Sequence, residues 1–318
     1  MAGTRSVTWF LIVTFAATWP IELGMILAGG MNNPRAFQLG GAAVMLVPMV
    51  AAILIRKVFR EGFNNAGLRW RGGRYYALAF GLSLLWVGLA YVLTWVSDLG
   101  PFDASMPRLT AQARAALTEL PPEKADQALQ RVEGLRWWVL GLAISIGPLI
   151  NLPFAFGEEF GWRGFLLPRL LPLGTFRALL LTGIIWGIWH APVILMGWNY
   201  PGHEAVGVPM MVLWCIPLGF FFGWLFLRSG SVFVPSLAHA CLNAFASGLL
   251  LLTGDMDPRV GGAAGIVGIG LVLLLAAVLW VGFPVQGRSE QRLVPEPKDR
   301  AEPNAEADRG RPSGSERP

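Results

Sequence analysis

Charge is scarce in this sequence: Asp, Glu, Lys and Arg make up 14% of its 318 residues. A soluble protein of this size carries about a quarter, so an ordinary soluble globule is excluded. Cysteine is scarcer still, with only Cys215 and Cys241, which excludes a disulfide-stapled secreted domain. Both thiols are expected as small buried packing residues on different helices. No internal repeat suggests a transporter built from two halves. No small-x-small site closes the first apolar run, which reads as a retained span and not a cleaved signal. What the chain has instead is apolar mass: 54% of residues, 14 of them Trp, at a mean hydropathy of +0.52.

That mass comes in continuous runs, each long enough for about 20 residues of membrane-crossing helix. Eight are expected: Val7 to Ala28, Leu39 to Ile55, Tyr75 to Val96, Trp137 to Leu167, Ala178 to Met196, Val208 to Leu227, Val232 to Leu252 and Ala263 to Phe283. The runs do not alternate as barrel strands do, so the expected class is an all-α polytopic membrane protein. Most of the 25 Lys and Arg fall on one side if the N-terminus is inside, as cytoplasmic loops require. Both termini are therefore expected to be cytoplasmic. The pI near 9.7 then reflects orientation and attraction to anionic lipid, with no nucleic-acid partner.

Three parts follow. Residues 1–136 hold three spans and an outer segment, Ser97 to Arg136, where Leu109, Ala113, Ala116, Leu117 and Leu120 recur at helical spacing before Pro121 and Pro122. Two short amphipathic helices are expected there. Residues 137–284 form a membrane core. Residues 285–318, rich in Pro, Glu, Arg, Ser and Gly, are too polar to bury a core and are expected to be a disordered tail.

Ionisable groups inside a bilayer are usually functional or paired, and here they gather in three places. Glu158 and Glu159 precede Arg163; Glu159 and Arg163 are spaced i, i+4 with the acid first, the favoured order for an ion pair. Glu158 projects about 100° away and is free to face elsewhere. A carboxylate pair at a helix end in the headgroups is the plainer account. Trp186 and His190 share the face of another helix; a lone intramembrane His is more often a packing residue. His239 and Asn243 are again i, i+4, and both donate hydrogen bonds of the kind an oxyanion needs, though such residues also join helices.

The order and spacing of Glu158-Glu159-x-x-x-Arg163, Trp186-x-x-x-His190 and His239-x-x-x-Asn243 resemble the CPBP intramembrane glutamic endopeptidases. That family includes the CAAX prenyl-protein proteases and bacterial relatives linked to bacteriocin processing or self-immunity. The resemblance covers about Leu140 to Leu252, with Trp186 where the family commonly has Phe. It implies a conical intramembrane active-site cavity and no cofactor. It makes Glu158 the base for a water that His190 helps position, His239 and Asn243 the oxyanion hole, and Glu159 with Arg163 a supporting pair. It also implies a membrane-associated protein or peptide substrate and a bacterial inner-membrane location.

Two other readings stay open. Glu158, His190 and His239 are a reasonable zinc set with water in the fourth position, although HExxH is missing. A transporter, scaffold or immunity protein could use the same cluster for binding. Site depths agree only if the fourth helix continues through Trp162 to a break near Pro168, with Pro148 and Pro153 bending it. Glu22, after Pro20, is expected to reach the headgroups. His203 is expected in a solvated loop, and Gly261, Gly262, Gly265, Gly268 and Gly270 to permit close helix packing.

Overall fold

The computed structural model describes residues 2–118 and 120–285. The expected tail lies outside them except for Val285. In chain order the helices are α1 (Ala2–Leu27), α2 (Pro34–Val58), α3 (Gly73–Val96), α4 (Pro107–Ala116), α5 (Pro122–Gly134), α6 (Arg136–Ser145), α7 (Gly147–Gly161), α8 (Leu167–Leu170), α9 (Thr175–Trp189), α10 (Ala191–Leu195), α11 (Glu204–Ser229), α12 (Phe233–Leu251) and α13 (Ile266–Gly282). No strand occurs among the described residues; one isolated bridge joins Phe102 to Thr253. The protein is an all-α polytopic membrane protein, because only helices satisfy their own backbone groups across hydrocarbon without closing a barrel.

Every apolar run is helical, yet the count of full spans differs from eight. Five helices, α1, α2, α3, α11 and α12, are long and apolar enough to cross a membrane, and α6 with α7 makes a sixth as one bent span. The fifth and eighth runs fold as α9 and α13, with 15 and 17 residues. At 1.5 Å per residue these reach roughly 22 and 25 Å, short of the roughly 30 Å of hydrocarbon. The fifth run is cut at His190 because Pro192 starts a new helix, α10, where its missing N–H is harmless.

The fourth run is cut twice. Ile146 ends α6 and begins α7, with Pro148 in the first turn of α7, and the axes bend by 42°. Pro153 lies inside α7 without ending it. Beyond Gly161 the chain stays helical through a π turn, Trp162–Leu166, into α8, which is the continuation past Trp162 that the site depths required. A π turn disturbs the regular ladder, and two guanidinium groups hold its carbonyls. Arg56 of α2 donates to the Gly164 carbonyl (2.8 Å) and Arg169 to that of Phe165 (2.7 Å). Arg169 also pairs with Glu61. Arg56 is buried, contrary to the loop position its charge suggested.

Glycine pairs spaced i, i+4 set the closest helix approaches. A Cβ at Gly157 would meet the Met45 carbonyl oxygen at 2.6 Å, and one at Gly161 would meet Pro48 Cβ at 2.4 Å, so α7 lies directly on the α2 backbone. Gly183 and Gly187 press α9 equally close to α11, where a Cβ would stand 2.7 Å from Ile216 Cα and 2.5 Å from Val212 Cα. Small residues at such seams let membrane helices gain packing contact that apolar burial does not supply in lipid. Helix α12 packs on α7, α3 and α6, completing a core of α7, α9, α11 and α12. The two short helices expected between the third and fourth runs appear as α4 and α5.

Candidate active site

The ion pair expected along α7 is present. Arg163 Nη1 donates to Glu159 Oε1 at 2.8 Å, both side chains fully buried. The same oxygen receives His239 Nδ1 from α12 at 2.9 Å, so Glu159 ties the first motif to the third. The guanidinium of Arg163 lies between two rings, 4.6 Å from the Trp186 centroid and 5.2 Å from that of Phe222. Aromatic faces attract such a cation. Its Nε and Nη2 have no hydrogen-bond partner.

Glu158, one residue earlier, points away from that pair, as a 100° rotation requires. Its Oε2 accepts a 2.7 Å hydrogen bond from the indole Nε1 of Trp186. Trp186 is therefore the hub of the site. Besides bonding Glu158, its ring meets His190 at 5.6 Å and His239 at 5.4 Å between centroids. A Phe at this position would keep the ring contacts and lose the N–H donor, so the exchange of one aromatic for another changes the chemistry beside Glu158.

His190 occupies the C-cap of α9. Its Nδ1 lies 2.8 Å from the Trp186 carbonyl. A carbonyl only accepts, so Nδ1 carries the proton and Nε2 keeps its lone pair in the neutral ring. The imidazole is packed against Trp189 (4.7 Å, 81°) and lies parallel to Trp198 (6.1 Å, 11°). His239 has the same tautomer for a different reason: the Glu159 carboxylate accepts from Nδ1. Its Nε2 consequently donates only when the ring holds two protons, with the charge balanced by Glu159. Asn243 is half-buried one turn further along α12, and no hydrogen bond engages its carboxamide.

The structure thus gathers Glu158, Glu159, Arg163, Trp186, His190 and His239 around one indole, and places Asn243 on the His239 face. These groups are deeply buried: Glu158, His190 and His239 are 2, 7 and 4% exposed. Among the described residues no three His, Cys, Asp or Glu side chains are grouped as a metal ion requires. The zinc set Glu158, His190 and His239 is therefore not assembled in this arrangement.

Besides Arg56, sequence reasoning misplaced a second ionisable group. Glu22 is 1% exposed and faces inward, away from the headgroups. Its signal was legible: Ser6, Phe10, Thr14, Thr18 and Glu22 recur every four residues and all are buried. The remaining expectations fall elsewhere. Cys215 and Cys241 are free and buried. His203 is partly exposed, 4.0 Å from Asp257, whose carboxyl is lowered to about 2 by its hydrogen bonds from Arg259. Of the glycines near the last span, Gly268 would place a Cβ 2.0 Å from the Ala263 carbonyl oxygen, while Gly270 has open space.

Residues 134–245 match the family described as Type II CAAX prenyl endopeptidase Rce1-like. The chain is also similar to CAAX prenyl protease 2 of Methanococcus maripaludis, 27% identical over 128 residues. That alignment takes in 38% of this chain and 44% of the relative, so the chain spans less than half the length of the curated relative it matches. All seven site residues lie within the matched stretch.

Proposed function

From the match of residues 134–245 to the Rce1-like CAAX endopeptidase family, we propose that this protein is an intramembrane endopeptidase whose base is Glu158. Its substrate is a membrane-associated protein or peptide, and its catalytic core is the segment 137–284. Glu158 takes a proton from water as the oxygen attacks the peptide carbonyl, and the His190 Nε2 lone pair accepts the water's second hydrogen and orients it. The oxyanion receives hydrogen bonds from the Asn243 carboxamide and from His239 Nε2–H, while Glu159 and Arg163 fix that imidazole in place. Donors held in an apolar site are worth more than in water, because they need no reorganisation when charge develops. The observation that carries this reading is the convergence on Trp186, which bonds Glu158 and touches both imidazoles.

The relative's name points to a prenylated CAAX-type peptide, and a farnesylated one in internally quenched form is chosen as the first probe. Glu158→Gln is expected to lower cleavage by about two to four orders of magnitude with membrane insertion unchanged. Full activity in that variant would overturn the choice of base. Stoichiometric metal lost together with activity would favour a zinc enzyme instead. For the natural substrate, membrane peptides that accumulate in cells carrying Glu158→Gln can be compared with wild type. We place both termini on the cytoplasmic side of a bacterial inner membrane, which residue-specific labelling of the loops would check.

A further inference from the structure

Glu22 stands apart from every role assigned so far. It is buried on α1, its Oε2 has no hydrogen-bond partner, and no basic side chain among the described residues pairs with it. Burying a carboxyl group in that condition is costly, so its presence calls for a use. The stretch of α1 around it is docked on the end of α9. One turn earlier Thr18 accepts from Trp189 Nε1 at 2.9 Å, and Trp19 donates to the Trp189 carbonyl at 3.3 Å. Trp189 is the residue before His190. Helix α1 also packs on α10, which begins at Ala191 directly after His190, so Glu22 belongs to a helix that borders the His190 corner of the site.

The two carboxyl groups are furnished differently. Glu158 receives an N–H from Trp186 and lies near Arg163 and His239, which suits an ionised base. The Oε2 of Glu22 receives no donor, which suits a neutral acid. Pairs of carboxyl groups in contrasting surroundings divide acid and base work in many hydrolases.

We propose that Glu22 is a second catalytic residue of the reaction read above, the general acid for the leaving amine. In the first step a water O–H bond breaks, a C–O bond forms and the proton goes to the Glu158 carboxylate. In the second the C–N bond breaks and the nitrogen takes the Glu22 carboxyl proton. Exchange with water then removes the proton from Glu158 and returns one to Glu22, which resets both groups, and the sum is one water added across one peptide bond. Helix α1, outside the family match, thereby contributes to the chemistry.

The experiment compares two substrates on the full chain in detergent micelles. One is the farnesylated quenched peptide; the other is the same peptide as a nitrophenyl ester, whose leaving group departs without a proton. Glu22→Gln is expected to lower kcat on the amide about 100-fold with KM unchanged, to cleave the ester at the wild-type rate, and to be partly rescued by Glu22→Asp. Wild-type cleavage of the amide by Glu22→Gln overturns the proposal. So does an equal fall on both substrates, which would mark a structural role. If Glu158→Gln keeps full activity, Glu158 is not the base and the division of acid and base work inferred here falls with it, whereas failure at Glu22 alone leaves Glu158 as the base.

Discussion

The first three helices and the later pair α11 and α12 are alike in hydropathy and differ in what surrounds them. Their most apolar windows are 28, 28 and 39% buried in α1, α2 and α3, against 78% in α11 and 67% in α12. In water, apolarity would drive all five inward; in lipid it drives none of them, because hydrocarbon tails are equally apolar. What decides is the contacts that pull: glycine seams, ion pairs and buried hydrogen bonds. Those contacts cluster on α7, α9, α11 and α12, and the peripheral helices meet this core along one side each, α2 at the Gly157–Gly161 seam and α3 against α12.

The comparison can be broken at four points. The largest effect is expected inside the core, where His239→Ala or Asn243→Ala lowers kcat by about 100-fold, the usual loss for one oxyanion donor; a fall in KM-linked binding alone would move both residues out of the oxyanion hole. Next comes the seam. Gly161→Ala drives a Cβ into Pro48 of α2, and overpacking of this kind costs about 1–3 kcal/mol, visible as a lower Tm with less folded protein. A smaller effect follows from Trp186→Phe, which removes one hydrogen bond to a carboxylate and keeps the ring: a loss of about 1.5–3 kcal/mol at most, read as kcat on the quenched peptide. At the lipid face, Val281→Ala on α13, where Val281 is 85% exposed, is expected to change Tm by less than about 0.5 kcal/mol equivalent. A large change there would mean that the periphery is held as tightly as the core.

Much of this was legible in the sequence, and what was not has identifiable causes. Hydropathy placed helices at every apolar run, since a run of apolar residues in lipid has no other way to satisfy its backbone. It misjudged their length at α9, because Pro192 cuts the run just past His190. Spacing located the Glu159–Arg163 pair, since i, i+4 geometry is local. It did not reveal that His239 would bond Glu159 and not stand free, because that contact joins residues 80 apart. Arg56 was counted with the loop cations, although it is buried against Gly164. Gly157 with Gly161, and Gly183 with Gly187, carried a small-x-x-x-small pattern that marks close helix seams, and only the glycines near the last span were read that way.

The clamp of Arg56 on the π turn bears on the order in which this protein is made. Its partner, the Gly164 carbonyl, lies 108 residues further along the chain, and synthesis runs at roughly 5–20 residues per second. Arg56 Nη1 finds acceptors nearby at Gly62 and Asn65, whereas its Nη2 waits about 5–20 s for Gly164. The first three spans are thus made before the helices that carry the Glu158 site, and the clamp closes only once those helices have followed.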